Sequence, residues 1–274
     1  MEIRRQMAWL ALAVGLLGTM QAARAQDEQC RQIQQRHSSG QQSATAENEM
    51  AFCAAREGRV DEAFARLEKA LAMGLRDYRL VAEDEDYRPL RRDPRWPLLL
   101  QRLAQAEQAY LKTINTELKA LHDADQADRR QPSVDWDVVG PRDDQRRARV
   151  LELAEQGQLK VAADYYHAAL VMQHGSEPQD YARAMQWAQQ AWKLDPKLAG
   201  ARWLSAAAED RYLHSLDKPQ VWGTQYRKPE GQDRWTQEPF DRQAKTDAER
   251  EAMGVPTLAQ SEQRLKRMNG HATR

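Results

Sequence analysis

Phosphate-cradling glycine loops, His-Glu-x-x-His spacing, cysteine pairs at metal-ligand spacing and a serine or cysteine in a nucleophile elbow are all missing from this chain of 274 residues. P-loop, zincin and elbow-type acyl-transfer readings therefore have no motif to stand on. Cysteine is scarce, with Cys30 and Cys53 alone, and three phenylalanines stand beside eight tryptophans. Excess charge is lacking too, since 41 basic residues face 41 acidic ones, which removes the basic footprint that a nucleic-acid backbone requires. Apolar runs of membrane length are absent as well, so no membrane span is expected in the exported chain.

What is present begins with an export signal. Arg4 and Arg5 precede an apolar run from Met7 to Leu17, and Ala23-Arg24-Ala25 follows with small residues at the two positions a signal peptidase reads. The run of eleven residues is too short for an anchor, which needs about 20. A lipid anchor would require a cysteine directly after the small residues, and Cys30 lies too late. Residues 1–25 read as a signal peptide cleaved after Ala25, and the mature chain as periplasmic or secreted, with 38 basic and 40 acidic residues. In an oxidising compartment, the isolated pair Cys30 and Cys53 is expected to form a disulfide, worth about 3 kcal/mol by loop closure. The alternative is a buried Cys53 and a free Cys30 thiol.

Fold class is mostly α. Residues 26–46 are rich in Gln, Ser and Arg and read as a polar, disordered tail. Helical periodicity then starts with Ala51, Ala54 and Ala55, breaks at Gly58, and resumes from about Asp61 with Ala63, Phe64, Leu67, Ala70 and Leu71. Residues 48–75 resemble one tetratricopeptide repeat, with Ala51, Gly58, Ala63, Leu67 and Ala70 at its packing positions. A long helix is expected from Trp96 to about His122, and a loop from Gln131 to Pro141 that contains the apolar Val134 and Trp136. Further helices are expected over Asp144 to Gln156, Val161 to His174, Pro178 to Leu194 and Leu198 to Leu216. Trp187, Trp192 and Trp203 are assigned to their core. Residues 47–114 form the repeat-like region and 115–268 the larger helical domain. Near 219–240 the alternation from Gln220 to Arg227, the turn at Pro229-Glu230-Gly231 and the returning Arg234-Trp235-Thr236 predict a small β-hairpin, bulged at Gly223 if Gln220 and Gln225 are to serve one site.

Four polar motifs stand out in the second half. They are Asp125-Gln126 followed by Arg129; Gln173-His174-Gly175; Asp210-Arg211 leading to Gln220 and Trp222-Gly223-Thr224-Gln225; and Arg250 before Gly254. On these motifs, residues 115–266 resemble a bacterial family of domains of unknown function. Trp222 stands where that family usually has tyrosine, and Gly175 where it often has alanine. The resemblance implies a shared fold and site, and no reaction.

Three roles compete for these residues. They could pair structurally, holding the hairpin to the helices. They could bind a small polar ligand or peptide, with Arg211, Gln220 and Gln225 as donors and tryptophans as walls. They could hydrolyse a substrate, with His174 as general base and Asp210 as its orienting acid. A metal set of His174, Asp210 and His214 lacks any supporting motif, so neither metal nor cofactor is expected. A periplasmic binding module with a protein, peptide or small-ligand partner leads, ahead of a hydrolase and of an inhibitor or immunity protein.

Overall fold

The computed structural model describes residues 30–35, 37, 43–131, 133–196 and 198–271. The expected signal peptide and its cleavage point lie outside the described residues. The chain divides into two compact units, residues 1–110 and 111–274, and is mostly helical in both. No helix among the described residues is long and apolar enough to cross a membrane.

In the first unit, Ser43 caps α1 (Ala44–Arg56) by accepting the Ala46 N–H, and the chain turns at Gly58 with φ +73° into α2 (Val60–Ala72). A residue with a side chain is strained at that φ, which explains why glycine joins the pair. The buried faces are those of the sequence reading: Ala51, Ala54 and Ala55 pack with Ala63, Phe64, Leu67, Ala70 and Leu71. A short α3 (Tyr78–Ala82), a 3-10 turn (Glu85–Leu90) and α4 (Arg95–Leu111) complete the unit. Tyr87, fully buried, donates its hydroxyl to Asn48 on α1. Part of the expected disordered tail is ordered: residues 30–35 are helical, and Cys30 and Ile33 are buried around a Cys30–Cys53 disulfide with a Cα–Cα distance of 5.6 Å. Polar composition hid this because one cross-link and one isoleucine suffice to hold so short a segment.

The second unit packs α5 (Thr116–Arg129), α6 (Trp136–Glu155), α7 (Ala162–Met172), α8 (Pro178–Leu194) and α9 (Ala199–Ser215), followed by an irregular segment, α10 (Asp247–Ala252) and α11 (Leu258–His271). Its core joins Leu118, Val150, Leu153, Ala168, Val171, Met172, Ala184 and Ala208. The single long helix expected from Trp96 to His122 is instead two. Asn115 breaks it by accepting the Glu117 and Leu118 N–H groups, while its own N–H donates to the buried Asp164 at 2.7 Å. The expected loop up to Pro141 is corrected as well: Asp135 caps α6, which runs through Pro141, and Trp136 is 62% exposed. Proline in the second turn removes one hydrogen bond, and the helix continues beyond it. Trp203, assigned to the core, is 40% exposed on α9.

The irregular segment does not build the expected β-hairpin as a ladder. Arg227 and Thr236 exchange backbone hydrogen bonds at 2.9 and 2.8 Å, and Gln220 bridges Phe240, both as isolated pairs. The backbone N–H groups a ladder would use point elsewhere, toward Asp210.

Candidate functional site

Asp210, buried on α9, organises that segment. Its carboxylate accepts the N–H groups of Val221, Trp222 and Thr224 at 2.8 to 2.9 Å and the Thr224 hydroxyl at 2.7 Å. Burial pushes the carboxyl up from its usual range, and these four donors oppose the shift. Inside the curl, the Gln220 amide donates to the Gln225 carbonyl at 3.0 Å and to the Gln237 carbonyl, and its oxygen accepts the Gln225 N–H. Gln225 spends its own amide on Thr224 and on the Ala207 carbonyl. Gly223, at φ +67°, lets the curl close: a Cβ there would lie 2.6 Å from the Phe240 ring. Trp222 is buried against Ala206 and Val255, with its indole N–H on Glu209 at 2.7 Å. None of these groups is left to grip a ligand.

Arg250 belongs to the same closed region. It is 0% exposed, donates to the Pro256 carbonyl at 2.8 Å and to Ser261 at 3.3 Å, and lies over the Phe240 ring. Its Nη1 and the Tyr226 hydroxyl are buried without partners among the described residues.

A second polar cluster gathers where α5 and α7 end. Asp125, fully buried, accepts the His174 Nδ1 at 3.0 Å on both oxygens, the Gln126 amide at 2.8 Å and Arg129 at 2.9 Å. Arg129 reaches on to Asp143 at 2.6 Å, Asp143 to Arg146 at 2.8 Å, and Arg146 to Asp128, which Arg142 also meets at 3.1 Å. Three carboxylates thus face three guanidiniums in one network. Burial works to raise the Asp125 carboxyl, but His174 and Arg129 outweigh it and hold it below its usual range. Burial pushes His174 below its ordinary value despite Asp125.

The turn that presents His174 is pinned from two sides. Arg147 donates to the His174 carbonyl at 3.1 Å, and Tyr181 on α8 donates to the Gly175 carbonyl at 2.6 Å. Gly175 itself admits no side chain, since a Cβ would meet the Asp180 carboxylate at 2.3 Å. With Nδ1 committed to Asp125, His174 Nε2 has no partner among the described residues, and the side chain keeps 13% exposure. Gln173 is buried with its Oε1 unpartnered. Arg211, on α9, makes no hydrogen bond or ion pair with the described residues, and its Nε is buried.

The sequence-selected residues therefore separate. Asp125, Gln126, Arg129 and His174 come together, with Arg211 close enough for its charge to lower the His174 pKa. Asp210 does not touch His174, so the acid that orients the imidazole is Asp125, 49 residues before it, and not Asp210. His214 is exposed, and no trio of His, Cys, Asp or Glu among the described residues is arranged to hold a metal. Asp128, Asp143, Arg146 and Arg147 were not singled out, and Tyr181 was expected only as a packing residue of a second repeat-like hairpin. Asp143 and Arg146 carry a legible signal, because they share the three-to-four spacing of Val150 and Leu153 and so fall on the buried stripe of α6.

A histidine pair lies deeper on the same helices, His122 on α5 and His167 on α7, with ring centroids 4.8 Å apart. His167 Nδ1 is buried without a partner, and burial, with His122 adding to it, pushes that imidazole down to about 3. In the first unit, a groove of about 600 Å³ between α2 and α4 is lined by Phe64, Leu98, Arg95 and Arg102. Its arginines are already paired, Arg95 with Asp61 at 2.8 Å and Arg102 with Glu68.

No family model, no curated protein and no solved structure matches the chain.

Proposed function

We propose that the protein is an exported binding module that holds a small polar ligand at the Asp125, His174 and Arg211 cluster. One observation carries this reading: His174 Nε2 and the Arg211 guanidinium are left without partners beside a network in which every other charge is balanced. Nearly all buried polar groups in folded proteins are satisfied, so an unspent imidazole acceptor beside an unspent guanidinium donor points to something bound. Export is supported by the sequence of the first 25 residues and by the Cys30–Cys53 disulfide, a bond that persists in oxidising compartments.

The test is thermal unfolding of the purified protein against polar metabolites and short peptides, in wild type, His174→Ala and Gln225→Ala. Ligand binding to the folded state raises Tm by mass action. A compound that stabilises wild type and Gln225→Ala but not His174→Ala supports the cluster as the site. A response that survives in His174→Ala, or none to any compound, overturns it.

A hydrolytic role has one observation in its favour. A buried carboxylate on Nδ1 fixes the tautomer that leaves a lone pair on Nε2, the orientation a general base needs. The pairing acid is then Asp125. Turnover of ester or phosphoester substrates that disappears in His174→Gln and in Asp125→Asn would establish it.

A further inference from the structure

We propose that the ligand of this cluster carries an oxyanion, a carboxylate or phosphate group, taken by the fork of the Arg211 guanidinium. The proposal rests on the binding reading above and names its chemical class. Its ground is a gap in the local ion pairing. Asp125, Asp128 and Asp143 are matched by Arg129, Arg142 and Arg146 through contacts between 2.6 and 3.1 Å together with the shorter Arg146–Asp128 contact. Arg147, the remaining arginine of the turn, lies 3.6 Å from Asp180 and is paired with Asp144. Arg211, unlike Arg129, Arg142, Arg146 and Arg147, has no carboxylate within ion-pair distance among the described residues.

Its sequence neighbour is not available as a counter-ion. The Asp210 carboxylate is closed by four donors from the 221–224 curl and makes no ion pair with Arg211. Tyr181, the other polar group near Arg211, spends its hydroxyl on the Gly175 carbonyl. The buried Nε and the lowered Arg211 pKa, which burial causes and Arg129 deepens, describe a cation held where it is poorly solvated. A guanidinium in that position is a pre-organised receptor for a planar or tetrahedral oxyanion, because two parallel N–H groups match two oxygens. Arg129 is near enough for its charge to act on Arg211 and is itself fixed by two carboxylates.

Two anions separate the sources. Inorganic phosphate and acetate are titrated into the full exported chain at constant ionic strength, with chloride as the reference, while the Arg211 Nε–H and backbone amides are followed by NMR. A saturable shift of the Arg211 signal with phosphate alone assigns a phosphate group, with acetate alone a carboxylate, and with both the shared oxyanion chemistry. Arg211→Lys, which keeps the charge and loses the fork, is expected to weaken binding about tenfold, and Arg211→Gln to abolish it, both with amide spectra of a folded protein. Unchanged affinity in Arg211→Gln, or no saturable shift with either anion, overturns the proposal. If neutral polar compounds saturate the cluster where the anions do not, binding stands and the oxyanion falls. If neither class saturates it, both fall.

Discussion

Two buried carboxylates in the same unit are treated in opposite ways. Asp210 meets four donors, all from one short segment, and the Gln220 amide of that segment is spent in return within the curl. Asp125 is equally buried, yet its partners lead outward: the histidine it orients keeps a nitrogen that no described residue meets, and Arg211 nearby has no partner among the described residues. A polar network that closes on itself specifies a conformation. One that ends in unspent polar groups costs stability, and that cost points to recognition.

The sharpest way to break the comparison is to remove the closed carboxylate. Asp210→Ala strands three backbone N–H groups and a hydroxyl, each worth about 1–3 kcal/mol when buried and unpaired. A loss on the order of 5 kcal/mol is expected in urea unfolding, with the 220–240 segment losing hydrogen-exchange protection. A loss under about 1 kcal/mol would show that the curl is not held by Asp210.

His167 probes a group of intermediate kind, buried with one nitrogen unpartnered. Its folded pKa of about 3 lies below the unfolded value, so above about pH 7 it costs nothing. As pH falls below the unfolded value near 6.5, the unfolded chain takes up a proton that the folded chain refuses, and stability is lost progressively toward pH 3. The contribution is on the order of 4 kcal/mol at pH 3. Between pH 7 and 4 the unfolding free energy of wild type should fall more steeply on acidification than that of His167→Gln, and parallel curves would contradict this.

Gly223→Ala tests closure without touching a charge. The substitution puts a methyl against the Phe240 ring at a φ of +67°, and a loss of about 2 kcal/mol is expected from strain and overpacking. The same measurement on Gly231→Ala, where φ is +72° and nothing lies within 4 Å, isolates the backbone share.

Much of this contrast was legible in the residues and part of it was not. Pro178 and Leu194 bound α8 where the prolines and periodicity placed them, and the buried alanines of α1 and α2 are those on the apolar face. The break at Asn115 was missed because neither proline nor glycine marks it, although the side chain is a good cap. The hairpin was over-read because alternation reports side-chain faces, whereas the backbone N–H groups were claimed by a carboxylate on another element. His174 was recognised without its true partner, because Asp125 reaches it only through helix packing over 49 residues.

The smallest expected effect is the most telling. Arg211→Met removes a cation that no described residue pairs with, and replaces it with an apolar chain of similar reach on a largely buried helix. If Arg211 were structural, cutting it should cost as much as breaking a buried pair, about 3–5 kcal/mol. An unpaired cation retained for recognition behaves differently: its removal should leave stability within about 1 kcal/mol of wild type or raise it. Urea unfolding of the unliganded protein decides between the two, and a large loss would move Arg211 to the side of Asp210, among groups whose work ends within the fold.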